Sequence, residues 1–354
     1  MIQPDSFGQL SSVLPPEVTC LQFLPVGESI IVYIAAKDRP ALIEKISLEE
    51  KGVPAKQFLG NLVKLRALLQ ANAPKVRLDA ELKKTYDILF ADLEQPLSEL
   101  GVKRLIVNGT GVLRYVPFAA LYDGNGYLAE RYQITNVTGN DLIRLAKVSA
   151  NRTATGVNAV VFADPDGSLP AGRKEGEEVS KLFHQNRLLV GDKATLDEFE
   201  SLVGDVNFVH LATHAVLDSD NPSNSYILFA NGKKWRYADM LGFNIKNVDS
   251  FVLSACSTAD VTEKSEGTEI ESMAYQLLRK SPSGSVLASF WKVDDQATSA
   301  LMKKYYEHIV KSMRATGCLD RGGALREAQL SLMKDPRTAS PYYWAAFALF
   351  GDFR

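Results

Sequence analysis

Short runs of apolar residues, Ala159–Ala163, Val206–Ala212, Ser250–Ser254 and Ser285–Phe290, punctuate the second half of the chain, with stretches of helical spacing between and after them. A run this short and apolar almost throughout is what a strand covered on both faces requires. Strands of this kind alternating with helices predict βαβ units and a mostly parallel sheet with helices on both faces. That expectation also says where to look for chemistry. In open parallel sheets ligands bind beyond the carboxyl ends of the strands, so the residues just after each run are the candidates.

The rest of the chain fits the same class. Thr19–Leu24 and Ile30–Ala36 flank Pro25-Val26-Gly27-Glu28, a hairpin signature. Helices are expected over 54–74 and 78–98, where Leu59, Leu62 and Val63 recur at helical spacing, and strands over Arg104–Asn108, Leu113–Phe118 and Glu130–Asn136. Polar residues then dominate 147–158, which predicts a boundary. The expected organisation is a lead-in over 1–17, one α/β half over 18–150 and a second over 151–354, in keeping with about 150 residues per domain. In the second half, further helices are expected over 172–184, 195–203, 238–242, 268–279, 296–312 and 322–333. Strands are expected over Arg187–Val190 and Tyr226–Ala230, and a last apolar run spans Trp344–Phe350.

Charge and composition exclude several classes. Lys and Arg total 40 against 42 for Asp and Glu, leaving a net charge of -2. No basic footprint for nucleic acid and no polybasic membrane patch follows. No uninterrupted apolar stretch is long enough for a membrane span, and MIQPDSFGQLSSVLPPE lacks the cationic start and apolar core of a signal peptide. Three widely spaced cysteines, Cys20, Cys256 and Cys318, make no disulfide framework, so a reducing, cytoplasmic setting is expected. Phosphate loops, dinucleotide fingerprints, zinc spacings and the G-x-S-x-G elbow are all missing, so no cofactor or metal is expected.

What remains is a His/Cys pair. His214 lies just past the run ending at Ala212, and Cys256 just past the run ending at Ser254. If those strands are neighbours, both residues reach one rim of the sheet. A thiol needs a base or cation beside it to ionise near neutral pH, and a histidine on the next strand end can supply it. The alternative, a structural cysteine at a strand end, stays open on this pattern alone. His210, inside its run, reads as a packed and hydrogen-bonded strand residue; His184 and His308 lie on helices, Cys20 in an apolar run, and Cys318 in a loop.

The segments His210-Leu-Ala-Thr-His214 and Val252-Leu-Ser-Ala-Cys256-Ser-Thr resemble the two catalytic blocks of CHAT domains, bacterial relatives of caspases and separases. Four further blocks agree in order and spacing: Asn108–Leu121, Asp164–Pro170, Ser289–Asp295 and Tyr342–Asp352. The resemblance runs from about residue 18 to the end. It implies a caspase-like α/β fold in two halves, an N-terminal pseudo-protease and a C-terminal active protease. It also implies a cysteine endopeptidase in which Cys256 attacks the scissile carbonyl and His214 serves as acid and base, with the backbone N–H groups of Cys256 and Ala215 holding the oxyanion. The family usually has Gly where this chain has Ala215, and alanine resists a positive φ.

A carboxylate in the same region of separases implies a basic P1 residue, with Asp294, Asp295 and Glu266 as pocket candidates and Asp218, Asp220 and Asp260 behind them. Asp294 or Asp295 also suits the N-cap of the helix that follows, and Glu266 a helix start. The resemblance further implies protein or peptide substrates and a latent site armed by a regulatory partner, a sensor module or a ligand, with residues 215–225 and 260–267 as the segments to be ordered. Two other readings compete: an impaired CHAT module serving as a protein-binding scaffold, favoured by Ala215, and, more weakly, a thioester-forming acyltransferase.

Overall fold

Nearly all of β6 (Asn158–Ala163), β8 (Phe208–Ala212), β12 (Ser250–Leu253) and β13 (Ser285–Ser289) is buried, as their unbroken apolar sequences require. These strands belong to a computed structural model that describes residues 10–12, 14–137, 158–216, 218, 221–242, 245, 247–254, 274, 276–278, 280 and 284–354. The chain divides into two compact units near residue 148.

In the first unit β1 (Val18–Val26) and β2 (Ser29–Ala36) form the expected hairpin around Gly27, whose φ of 58° closes the turn. β3 (Leu42–Ser47) adds antiparallel to β2, while β4 (Arg104–Asn108) and β5 (Gln133–Asn136) continue from β1 in parallel, giving the order β3-β2-β1-β4-β5. Two helices, α1 (Ala55–Gln70) and α2 (Lys75–Leu89), begin directly after Pro54 and Pro74, residues a helix tolerates at its start but not inside. Phe58, Leu62, Leu65 and Leu69 make one buried stripe, and Leu78, Leu82 and Leu89 another. Each such side chain stabilises by roughly 1.5–3 kcal/mol. One expectation needs correction. Leu113–Phe118 is not a strand: it forms 3-10 turns over Gly111–Tyr115 and Phe118–Ala120, separated by Pro117. Within the stretch expected as a lead-in, Leu10 and Leu14 are buried.

The second unit carries the order β14-β13-β12-β8-β6-β7, with β7 (Gln185–Val190) and β14 (Phe347–Gly351) outermost among its strands. Every pair is parallel except β13–β14. Alternate side chains meet different layers. Phe162 packs edge-on against Phe199 and Phe229, the former from α4 (Leu196–Leu202). On the opposite face His210 and Phe208 meet the layer holding Tyr306 and Phe183. Tyr306 belongs to α5 (Asp295–Thr316), which is capped at its start by Asp294 and closed by Gly317 at φ 69°. α6 (Arg321–Met333) follows.

The remaining helix that matters, α3 (Pro170–Ser180), lies so close to β6 that a methyl on Gly176 would stand 2.7 Å from the Ala163 Cβ. A separate small sheet, β11-β10-β9, is built from β9 (Ala215–Val216), β10 (Tyr226–Leu228) and β11 (Lys234–Arg236). Most of the helix expected over 268–279 lies outside the described residues.

Candidate active site

Because β6, β8, β12 and β13 run parallel, their carboxyl ends share one rim. A cavity of about 290 Å³ opens there, lined by Ser168, Glu175, His214, Ser254, Trp291 and Asp295 among others. β8 and β12 are neighbours, with Val252 opposite His210 and Leu253 opposite Leu211. The adjacency on which the His/Cys reasoning depended is therefore met by the strands themselves.

The loop from Asp164 to Leu169 is built to present its side chains at this rim. Asp164 is buried with φ 50°, a left-handed conformation that aspartate tolerates better than most residues. Its N–H donates to the Ala212 carbonyl at 2.9 Å, tying the loop to the end of β8. One carboxylate oxygen accepts from the Leu169 N–H at 2.7 Å and the other from Arg173 Nε at 3.0 Å, so a single side chain anchors both the loop and the first turn of α3. Gly167, at φ 77°, turns the chain. Ser168 Oγ then sits 2.7 Å from His214 Nε2. The same hydroxyl donates to Asp166 Oδ1 at 2.7 Å, the Ser168 N–H donates there at 3.1 Å, and Asp166 Oδ2 lies 3.7 Å from His214 Nε2. The Ser168 hydroxyl, helped by its amide and by the nearby His214, holds the Asp166 carboxyl below its usual range.

Deeper in, Glu175 is only 3% exposed and lines the cavity from α3. Its Oε1 lies 2.9 Å from Nε2 of the equally buried His210, without the alignment of a hydrogen bond. His210 Nδ1 is 3.1 Å from the Tyr306 hydroxyl, whose ionisation is pushed well above the ordinary value by burial and by its neighbours Tyr305 and Glu175. His210 is thus the packed strand residue its position predicted.

Of the remaining sequence candidates, Ala215 opens β9 and is not among the residues of positive φ, so alanine in place of glycine carries no backbone strain there. The Leu228 N–H donates to the His214 carbonyl at 2.9 Å, which makes 214/228 the hydrogen-bonded pair of that ladder and 215/227 the non-bonded one. The Ala215 N–H consequently turns away from β10. Asp294 Oδ1 accepts from the Gln296 and Ala297 N–H groups, both at 3.0 Å, as an N-cap, while the cavity lining includes Asp295 and not Asp294. Asp218 accepts from Asn221 N and Asn224 Nδ2 within its own loop. Cys256, Glu266, Asp220 and Asp260 lie outside the described residues. His184 is exposed beside Arg314, and His308 lies 3.4 Å from Asp320. Cys20 is buried, which pushes its thiol up to about 12, and Cys318 is exposed. Sequence reasoning missed Ser168, Asp166 and Glu175 as site residues. The first two follow a strand end and so carried the same signal that singled out His214.

A family model for the CHAT domain matches residues 79–352, most of the chain. The chain belongs to the CHAT domain family. A crystal structure of the Arg-specific cysteine proteinase gingipain R is similar to this CHAT domain with a TM-score of 0.53 at 11% identity, covering 84% of this chain and 76% of that one. The separase of Saccharomyces cerevisiae, solved in complex with securin, is similar with a TM-score of 0.58 at 11% identity, covering 97% of this chain and 30% of the separase chain. Such low identities establish the fold, which is caspase-like. No curated protein matches the sequence. Among the described residues no helix is long and apolar enough to cross a membrane, and no three His, Cys, Asp or Glu side chains group as metal ligands.

Proposed function

We propose that this CHAT domain is a cysteine endopeptidase with Cys256 as nucleophile and His214 as acid and base. The observation that carries this is the register of β12 on β8. Each β12 residue faces one as far back in the sequence as His214 is from Cys256, and His214 lines a cavity at that rim. Neighbouring parallel strands stand roughly 4.8 Å apart, a separation that a thiol and an imidazole can close.

In this reading the Cys256 thiol gives its proton to His214, and the thiolate attacks the scissile carbonyl carbon. The developing oxyanion is held by the N–H groups of Cys256 and Ala215, the latter free of β10 as described. His214 returns the proton to the leaving amine as the C–N bond breaks. Water then attacks the thioester, giving its proton through His214 to the sulfur, which restores the thiol and releases the acid.

A basic P1 residue suits the carboxylates of the cavity, Asp295 exposed at its mouth and Glu175 buried within it; Asp294 and Glu266 are retained as further candidates for this recognition. The substrate is a protein or peptide, and a regulatory partner or ligand arms the site. The unit up to residue 148 is read as the non-catalytic half: the sequence places all four histidines beyond it, and its single cysteine, Cys20, is buried and held protonated. The scaffold alternative rested on Ala215, and the extended backbone there gives it no support. The test is cleavage of peptides carrying Arg or Lys at P1 by the unsubstituted chain and by Cys256→Ala. Loss of cleavage in the variant is expected; cleavage that persists removes Cys256 from the mechanism.

A further inference from the structure

Resting on the peptidase reading, we infer that Asp166 and Ser168 are positioning residues that fix His214 as its Nε2–H tautomer, leaving Nδ1 as the nitrogen that exchanges a proton with the thiol. The inference follows from counting protons along a short chain of contacts. Asp166 is held in its ionised form, and an ionised carboxylate only accepts. Ser168 has one hydroxyl proton, and it is donated to Asp166 Oδ1 at 2.7 Å. The Ser168 oxygen therefore meets His214 Nε2, also at 2.7 Å, with a lone pair, and the proton in that contact comes from the imidazole. A neutral imidazole carries one N–H, so Nδ1 is the basic atom. Among the described residues Nδ1 has no hydrogen-bond partner.

Charge supports the same assignment. When Nδ1 takes a proton the ring becomes cationic, and Asp166 Oδ2 stands 3.7 Å from Nε2 to stabilise it. The arrangement is rigid where it needs to be. The buried Asp164 side chain bonds Leu169 and Arg173, and its N–H bonds Ala212, so the loop bearing Ser168 and the strand leading to His214 are fixed to each other. Positioning of this kind comes from a preorganised outer shell rather than from contact with substrate.

The experiment uses the full chain with 15N-labelled histidine. Two-bond proton–nitrogen correlations distinguish the two tautomers, and His214→Ala assigns the signals among the four histidines. The unsubstituted protein is expected to show His214 as Nε2–H alone. Ser168→Ala and Asp166→Asn should each give a mixture of tautomers, and Ser168→Thr, which keeps the hydroxyl, should restore the single form. In peptide cleavage, Ser168→Ala should lower kcat by about ten- to a hundredfold, the scale of one hydrogen bond to a group that becomes charged, with KM little changed. An Nδ1–H tautomer in the unsubstituted protein, or spectra unaltered in both Ser168→Ala and Asp166→Asn, would overturn the inference. The spectra need no turnover. If the tautomer is as stated while cleavage survives Cys256→Ala, the peptidase chemistry fails and the positioning pair stands; if Cys256 is required and the tautomer is the other one, the reverse holds.

Discussion

Gly176 offers the sharpest test of how α3 sets the site. A methyl built on it stands 2.7 Å from Ala163 Cβ and 3.2 Å from Val161 Cγ1. The nearer neighbour cannot rotate away, since Ala163 has no side-chain torsion to adjust and sits on β6, paired on each side with β7 and β8. Two effects oppose each other in Gly176→Ala. Helix propensity favours alanine by about 1 kcal/mol, while overpacking costs typically about 1–3 kcal/mol. A contact below 3 Å against a fixed strand places the cost at the upper end, for a net loss of about 1–2 kcal/mol. In a unit of this size that lowers Tm by roughly 2–8 °C. Gly172, on the same helix, is the control: its added methyl would meet nothing nearer than 3.4 Å, so Gly172→Ala should be neutral or slightly stabilising. The assay is thermal unfolding followed by circular dichroism, with calorimetry as a second probe. A Gly176→Ala protein as stable as the parent, or more so, would refute the close packing of α3 on β6 and with it the reason Glu175 is held under the cavity.

Other outcomes follow from the same contacts. Asp294→Ala should cost about 1 kcal/mol through loss of the α5 cap, whereas Asp295→Asn and Glu175→Gln should raise KM for an Arg-P1 peptide; thermal unfolding reads the first and initial-rate kinetics the other two. At neutral pH, iodoacetamide should leave Cys20 unmodified in the folded protein, because burial pushes its thiol up to about 12, and should modify the exposed Cys318, as mass spectrometry of the digests will show. The Asp166 carboxyl is depressed in the folded chain, so what it contributes is present above its unfolded value and is lost as pH falls through the lower folded value. The Tm difference between the parent and Asp166→Asn should therefore hold steady from neutral pH to about pH 5 and close only below the ordinary carboxylate range.

The parallel strands were legible because burial on both faces leaves few polar residues in them. Ala159–Ala163, Ser250–Ser254 and Ser285–Phe290 agree with β6, β12 and β13 to within a residue at each end. Elements that are half-exposed or short were harder to read. β3, Leu-Ile-Glu-Lys-Ile-Ser, lies at the end of its unit's strand order with Leu42 and Ile43 exposed, so its pattern carries no clean alternation. Leu113–Phe118 is apolar enough for a strand, but its backbone turns back on itself as 3-10 structure before Pro117. In the site, His214 was visible because it follows a strand end. Its partner Ser168 is 46 residues earlier, in a block that carried the resemblance but no assigned role, and the Glu175–His210 pair joins a helix to a strand. Contacts of that range depend on which strands are neighbours, and β6, β8 and β12 stand side by side although β7 and the three strands of the small sheet intervene between them in the chain.

The most direct measurement is the rate at which a peptidyl electrophile bearing arginine at P1 modifies each cysteine, read by mass spectrometry in the parent and in His214→Ala. The account predicts modification of Cys256 ahead of Cys318 and Cys20, slowed at least a hundredfold when the imidazole is removed. Modification at Cys318 in place of Cys256, or a Cys256 rate indifferent to His214, would contradict it.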